Sequence, residues 1–212
     1  LIEFGYLKIY DSGGIAVWSC SNLAQSQNKE NPALQIQKIQ KRKEGNPMKK
    51  FENMIIGFGK GGKTLAGVLA AAGQSVALIE KSPLMYGGTC INVACIPSKA
   101  LEHSARFSQA QGGTFRERAV RYRTAIWEKR ELTAALRQKN LEKAVSAGVK
   151  VILGTATFLD DHRIRLEKAD GTEDVLWGER IFINTGARPF LPPVDGLQSS
   201  RFVYTSETMM EL

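Results

Sequence analysis

The chain has 212 residues, of which 43% are hydrophobic and 24% charged, and its formal net charge is +8. That length supports one domain with a substantial core, and the composition is ordinary for a globular protein. No apolar run is long enough to cross a membrane, and three cysteines are too few for a disulfide-stapled secreted domain. We therefore expect a cytoplasmic protein in a reducing compartment.

Much of the positive charge lies in residues 99–150, which hold 12 Lys and Arg against 5 Glu. Charge alone fixes neither fold nor partner, and such a run is usually the solvated face of a long helix. We expect neither nucleic acid nor a membrane as a partner. A non-catalytic basic binding module is the alternative, which salt-sensitive nucleic-acid binding would support.

Residues 1–47 form a polar leader without a sustained hydrophobic period. No basic segment precedes its short apolar stretch, so a signal peptide is not predicted. The codons for Lys43-Glu44-Gly45 can spell a bacterial ribosome-binding site shortly before Met48. We hypothesise that translation starts at Met48 and that the leader is non-native; a genuine disordered tail is the alternative. The lone Cys20 has no evident partner.

From residue 51 the pattern becomes that of a βαβ unit. A strand at 54–56 leads into Gly57-Phe58-Gly59-Lys60-Gly61-Gly62, which matches G-x-G-x-x-G, and a helix over 64–72 and a strand over 75–79 follow. Gly57 would make the tight turn, Gly59 would admit a pyrophosphate, and Gly62 would let helix and strand pack closely. Glu80, at the end of the second strand, can accept hydrogen bonds from an adenosine ribose.

The same residues fit a second phosphate-binding motif. Residues 57–64 also match G-x-x-x-x-G-K-[ST], the phosphate loop of ATPases and GTPases. Such an enzyme needs an apolar strand ending in Asp to reach Mg²⁺, and no convincing one follows. A dinucleotide fold needs an acid after the second strand, where Glu80 stands. The glycine motif alone leaves both interpretations open.

The segment Gly87-Gly88-Thr89-Cys90-Ile91-Asn92-Val93-Ala94-Cys95-Ile96-Pro97-Ser98-Lys99 is the most informative part of the chain. Its cysteines enter a predicted helix over 90–111, where positions four or five apart can meet. A helix N-terminus would lower the pKa of a thiol, which suits a pair that opens and closes. Two structural cysteines or half of a zinc site are the alternatives. Because the histidines show no ligand spacing and the only further cysteine in the sequence is Cys20 in the leader, no metal is expected.

The remainder is predicted as one long helix followed by short strands. The helix, over 114–147, would carry on one face Phe115, Ala119, Tyr122, Ile126, Thr133 and Leu136. Strands are predicted over 150–153, 155–159, 163–167, 172–177 and 181–183. Ala169-Asp170-Gly171 is a hairpin signal between the third and fourth of these strands.

The glycine turn followed by the cysteine segment resembles the pyridine nucleotide–disulfide oxidoreductases, which include dihydrolipoamide dehydrogenase, glutathione reductase and mercuric reductase. The resemblance runs from about Met48 to Leu212. The amino-acid sequence of residues 55–60 and 85–92 is most similar to that of the bacterial reactive-chlorine-resistance (hypothiocyanous acid reductase) branch of this family. The resemblance implies an α/β fold, with a Rossmann-like FAD-binding domain over 48–212 that includes a small antiparallel β-meander.

The resemblance also implies roles for individual residues. Cys95 would be the charge-transfer cysteine against the flavin, and Cys90 the interchange cysteine that attacks substrate. Ala94 stands where members usually have Gly, and it would be strained if that position needed a positive φ. Besides Gly57, Gly59, Gly62 and Glu80, the implied FAD contacts are Lys81, Gly88, Thr89, Lys99, Ala156, Thr185 and Gly186.

Members of the family continue into an NAD(P)H-binding domain and a C-terminal dimerisation domain, and the resemblance ends before both. It implies that the intact relative is a homodimer. That relative would pass electrons from NADPH or NADH through FAD and the cysteine pair to a small oxidised substrate. This chain is expected to be an incomplete fragment that is inactive alone.

Overall fold

The computed structural model of the protein describes residues 48–212. The hypotheses on the leader and Cys20 concern residues 1–47 and lie outside the described residues. The helices and strands, in chain order, are β1 Lys49–Ile56, α1 Lys60–Ala71, β2 Val76–Glu80, α2 Thr89–Asn92, α3 Cys95–Gln111, α4 Phe115–Ser146, β3 Lys150–Leu153, β4 Thr155–Phe158, β5 Arg163–Glu167 and β6 Glu173–Ile183. Single 3₁₀ turns lie at Pro83–Met85 and Met209–Glu211.

Within residues 48–212 six strands form one mixed sheet in the order β3–β2–β1–β6–β5–β4. β1 pairs in parallel with β2 on one side and β6 on the other, and β2 pairs in parallel with β3. β4, β5 and β6 form an antiparallel meander. The predicted βαβ unit and meander are both confirmed. The carboxyl ends of the parallel strands meet at one edge, where open α/β sheets bind ligands.

The core has two layers, one on each face of the parallel strands. The layer towards α1 and α4 consists of Ile55, Phe58, Ala66, Val76, Leu78, Tyr86, Ala144 and Val149. The layer towards the meander consists of Met54, Ala77, Ile79, Ile164, Leu166 and Leu176. Successive residues of β2 point to opposite faces of the sheet and so belong alternately to the two layers. The buried residues of β5 belong to the layer towards the meander. The sheet therefore curls until the meander covers that face.

The cysteine segment is not the single helix that the sequence predicts. Cys90 lies in the short helix α2, and Cys95 is the first residue of α3. Between them Val93 (φ −138°, ψ 9°) and Ala94 (φ −140°, ψ −100°) depart from helical geometry. The helix stops because the Asn92 amide bonds back to carbonyls of the preceding turn. The φ of Ala94 is negative, so the conditional strain does not arise.

Two predicted strands, 172–177 and 181–183, are a single strand, β6. The first half of β6 pairs antiparallel with β5, and most of its length pairs in parallel with β1. One continuous strand therefore joins the parallel part of the sheet to the meander. A Cβ on Gly178 would lie 2.7 Å from the terminal methyl carbon of Met54. The strand can therefore pass over the Met54 side chain only because residue 178 is a glycine. The strands at 150–153, 155–159 and 163–167 are confirmed within one residue, and so is the hairpin, with φ +76° at Gly171.

Helix α4 is confirmed, but its predicted face is only partly buried. Thr114 forms a capping box at its start. Ile126 and Thr133 are buried, whereas Phe115 is 82% and Tyr122 47% exposed. The reason is length, because 32 residues make a helix of about 48 Å at 1.5 Å per residue. Its first turns extend beyond the sheet and pack beside α3, and the Tyr122 hydroxyl donates to the carbonyl of Leu212 (2.8 Å).

Candidate cofactor and dithiol site

The turn between β1 and α1 leaves no room for side chains. Gly57 has φ +108°, and a Cβ there would lie 2.2 Å from the carbonyl oxygen of Asn184. A Cβ on Gly62 would lie 2.5 Å from the carbonyl oxygen of Gly57. Gly59 caps α1 without a side-chain hydrogen bond. The first backbone N–H groups of α1 are therefore available to an anion.

Asn184, the residue after β6, is a site residue that the sequence analysis missed. Its side-chain amide donates to the carbonyl of Gly57 (3.2 Å), and its Nδ2 would lie 2.8 Å from a Cβ on Gly59. Its backbone N–H donates to the carbonyl of Ile56 (2.8 Å), since β6 runs parallel to β1. The signal that could have found Asn184 is its place as the first polar residue after an apolar strand.

Glu80 ends β2 with its carboxylate against the glycine turn. One oxygen accepts from the backbone N–H of Phe58 (2.9 Å), and the other accepts from Lys81 (2.9 Å) and Ser82 (3.2 Å). These bonds fix the carboxylate at the edge of the sheet. A carboxylate has lone pairs beyond those three bonds, so it can also accept from hydroxyl groups.

The cysteine segment lies directly on the glycine turn. Gly88 has φ +77°, and a Cβ there would lie 2.6 Å from the Cα of Gly59. Helix α2 follows at once, with Thr89 exposed at its start and Cys90 next to it. The glycine turn and the segment that carries the thiols thus meet at Gly59 and Gly88.

Both thiols of the pair are free, with Cys90 half-buried and Cys95 exposed. A hydrogen bond to Cys95 raises the pKa of the Cys90 thiol, and burial raises it further. The cations Lys63 and Lys99 pull that pKa the other way without outweighing the first two effects. The predicted lowering of the thiol pKa by a helix N-terminus is therefore wrong for Cys90.

Helix α4 braces the cysteine segment through polar side chains. Arg137 Nη1 donates to Asn92 Oδ1 at 3.2 Å. The ammonium group of Lys63, on α1, donates to Asn140 Oδ1 on α4. Since Lys63 also acts on the charge of Cys90, this contact holds a cation beside the thiol. Local sequence gives no signal for Arg137 or Asn140, because both contacts join separate helices.

Two adjoining grooves follow the carboxyl edge of the parallel strands. One, of about 440 Å³, extends from Glu80 to Ala156. The other, of about 470 Å³, extends past Gly59 to Gly88 and Thr89. Both contain Gly57, Glu80, Lys81, Thr185 and Gly186, so they are continuous at the glycine turn. They contain every predicted cofactor contact except Gly62, which is buried beneath the turn, and Lys99, which is exposed on α3.

The phosphate-loop interpretation does not fit this geometry. Helix α1 begins at Lys60, not at the predicted residue 64, so Lys63 and Thr64 belong to the helix itself. The Thr64 hydroxyl donates to the carbonyl of Lys60 (2.7 Å), and the Lys63 ammonium donates to Asn140. A phosphate loop needs both side chains directed at the phosphates. The geometry of the turn therefore favours the dinucleotide-binding interpretation.

Two kinds of feature are absent from the described part of the chain. No helix within residues 48–212 combines the length and apolar character needed to cross a membrane. Over the same residues, no three His, Cys, Asp or Glu side chains are grouped so that they could hold a metal ion. The half-zinc alternative for the cysteine pair finds no further ligands in this region.

Comparison with known proteins agrees with this geometry. The family model "Pyridine nucleotide-disulphide oxidoreductase" matches residues 51–211, which include the glycine turn and both cysteines. The chain belongs to the pyridine nucleotide-disulphide oxidoreductase family. The resemblance inferred from the sequence and the α/β fold class are both confirmed.

Individual members of the family are similar over most of this chain. It is 43% identical over 166 residues to the probable pyridine nucleotide-disulfide oxidoreductase RclA of Escherichia coli (strain K12), covering 78% of this chain and 35% of that protein. It is 33% identical over 167 residues to a mercuric reductase of Shewanella putrefaciens, covering 73% and 29%. The solved Cu(II) complex of the HOCl-induced flavoprotein disulfide reductase RclA from Escherichia coli matches with a TM-score of 0.67 and 44% identity, covering 78% and 35%. The chain thus spans about a third of the length of these family members.

Proposed function

We propose that residues 48–212 hold FAD along the two adjoining grooves and present Cys90 and Cys95 to it as a redox-active pair. The observation that carries this proposal is the contact between Gly59 and Gly88. It supports the proposal because the turn suited to phosphate touches the segment that carries the two cysteines. Family membership supports the same function.

The grooves suit an elongated dinucleotide. Its pyrophosphate would lie at the N-terminus of α1 between Gly59 and Gly88, where the missing side chains leave the backbone accessible. Its adenosine end would extend past Glu80, whose carboxylate would accept from ribose hydroxyls, towards Ala156. Its flavin end would lie beyond Thr89, the residue that directly precedes Cys90. FAD, when bound, supplies two-electron transfer between NAD(P)H and the cysteine pair.

The sulfur chemistry belongs to the chain itself. The Cys90 thiol loses its proton, and the thiolate attacks one sulfur of a substrate disulfide, which breaks the substrate S–S bond and releases the first thiol. Cys95 then attacks the mixed disulfide at Cys90, releases the second thiol and leaves a Cys90–Cys95 disulfide. The pair loses two electrons and two protons, and the substrate gains both. Lys63 and Lys99 favour the thiolate that starts the sequence.

The activity of the whole protein forms part of the same proposal. We expect an NAD(P)H site and a homodimer in the intact enzyme, as the family resemblance implies, and a cytoplasmic location. The relatives are named for reduction of disulfides and of mercuric ion. A small oxidised substrate that accepts attack by a thiolate is the class we propose for this protein.

Visible absorbance of the purified chain, incubated with FAD and freed of excess, tests the proposal. We expect a flavin spectrum that gains a long-wavelength charge-transfer band when a dithiol reductant opens the disulfide. Cys90→Ser should show that band without reductant, because Cys95 then has no partner. Cys95→Ser should never show it.

Two outcomes would contradict the proposal. A chain that stays colourless at saturating FAD removes the cofactor assignment. A band of equal strength in Cys95→Ser removes the role of Cys95 while leaving flavin binding in place. The two parts of the proposal can therefore fail separately.

A further inference from the structure

A third groove lies between α1 and α4 and shares no lining residue with the two grooves at the glycine turn. It encloses about 530 Å³, a size typical of small-molecule sites. Small and apolar residues form much of its wall, among them Val68 and Ala71 from α1 and Ala144 and Ala147 from α4. The shape and wall suit the organic part of a small ligand.

Three lysines line this groove, Lys60 and Lys63 on α1 and Lys143 on α4, and the charges of Lys60 and Lys143 both act on Lys63. None of them forms an ion pair with a carboxylate of residues 48–212. Lys63 is half-buried and bonded to the neutral Asn140 amide. Burial lowers the pKa of Lys63, and the charges of Lys60 and Lys143 lower it further. The three lysines therefore have no carboxylate partner among the described residues, and the Cys90 thiolate, when it forms, offsets the charge of Lys63 alone.

We propose that this groove binds a small phosphorylated molecule, with its phosphate groups on Lys60, Lys63 and Lys143 and its organic part against Val68 and Ala147. Phosphate suits the site because it accepts several hydrogen bonds and carries more than one negative charge, as three lysine donors require. Bound phosphate would supply the counter-charge that the two helices lack. The assignment does not rest on flavin binding, since no glycine of the turn and no lining residue of the two cofactor grooves contributes to this groove.

Isothermal titration of the purified chain with inorganic pyrophosphate at low salt tests the cationic half of the site. Lys60→Ala and Lys143→Ala should each weaken binding about tenfold, the loss expected for a charge-assisted hydrogen bond. Lys139→Ala is the matched control, because Lys139 lies on the same helix, is exposed and does not line the groove. It should change the affinity less than about twofold. Thermal melting establishes that each variant is folded.

The result that would overturn the proposal is equal weakening by Lys139→Ala and Lys143→Ala, which would show general attraction to a basic surface. Affinity unchanged in Lys143→Ala would also overturn it, since binding would then lie elsewhere, for example at the glycine turn. The apolar half is tested with 1-naphthyl phosphate and Val68→Ser. That variant should weaken naphthyl phosphate binding several-fold and leave pyrophosphate binding unaffected; an unchanged affinity for naphthyl phosphate in Val68→Ser would contradict the apolar contact.

Discussion

Gly59 and Gly88 meet backbone to backbone, so closely that a Cβ on Gly88 would lie 2.6 Å from the Cα of Gly59. Each belongs to a different functional segment, the turn that caps α1 and the loop that carries the cysteines. No side chain separates these segments. The distance between the glycine turn and the cysteine segment is therefore fixed by main-chain packing, which tolerates little variation.

The first prediction is that Gly88→Ala destabilises the protein and abolishes FAD retention. The new methyl group would strike the turn, and φ +77° is unfavourable for alanine. We expect a loss of about 3 kcal/mol or more in the free energy of unfolding, the sum of left-handed strain and overpacking. Denaturant titration measures the first effect, and absorbance after FAD incubation measures the second.

Gly73→Ala is the control for backbone strain alone. Gly73 has φ +80°, but nothing lies within 4 Å of a Cβ placed on it. Its substitution should cost about 1–2 kcal/mol and leave FAD retention unchanged. If the two variants behave alike, the contact between Gly88 and Gly59 has no separate importance.

A second prediction concerns the reactivity of Cys90. Its thiol pKa is raised by the hydrogen bond to Cys95 and by burial, so its thiolate forms at a higher pH than in an ordinary cysteine. Cys95→Ala removes the hydrogen bond, and the pH midpoint for alkylation of Cys90 by iodoacetamide should move to lower pH. Cys95→Ser keeps a hydroxyl and should move it less. Mass spectrometry of the Cys90 peptide follows the rate, and an upward shift in Cys95→Ala would contradict the assignment.

A third prediction distinguishes the effect of the Lys63 charge on the pKa of the Cys90 thiol from the effect of neighbouring lysines. Lys63 favours the Cys90 thiolate, so Lys63→Met should move the same alkylation midpoint to higher pH. Lys60→Met lies one turn away on α1 and is not among the charges that act on Cys90. It should leave the midpoint where it is. Equal shifts in both variants would mean that general positive charge, and not the position of Lys63, sets the thiol pKa.

The fourth prediction concerns Lys129, which anchors the final residues of the chain to α4. Its side chain is 2% exposed, donates to the carbonyl of Met210 (2.8 Å) and pairs with Glu211. Lys129→Ala should lower the free energy of unfolding by about 1–3 kcal/mol. The loss is no larger because Glu211, the partner of Lys129, is half-exposed to solvent. Freed from α4, the end of the chain should be cut faster by trypsin at Arg201.

Arg130→Ala provides the comparison, because Arg130 pairs with the same carboxylate at 2.9 Å while 56% exposed. An exposed pair of this kind contributes about 0–1 kcal/mol. Cleavage at Arg201 should therefore stay close to that of the unmodified chain. If Arg130→Ala lowered the free energy of unfolding as much as Lys129→Ala does, burial of Lys129 would not be what holds the final residues on α4.

Local sequence was sufficient wherever one short segment decides the structure. The glycine spacing after an apolar strand predicted the βαβ unit, because the tight turn and the packing contact lie within a few residues, although the helix begins four residues earlier than predicted. The hairpin at residues 169–171 followed from its turn residues, and the long helix over 114–147 followed from the spacing of its apolar residues. The cysteine spacing likewise placed Cys90 and Cys95 side by side, although on two helices and not one.

The tertiary structure decided what depends on register between distant segments. Asn184 reaches Gly57 across 127 positions of the chain because β6 lies parallel to β1. Lys63 reaches Asn140 across 77 positions because α1 and α4 pack on the same face of the sheet. The sequence by itself thus determined which residues could bind a dinucleotide and carry thiols. Only the packing of strands and helices decided that these residues meet, since contacts between remote segments leave no periodicity in the chain.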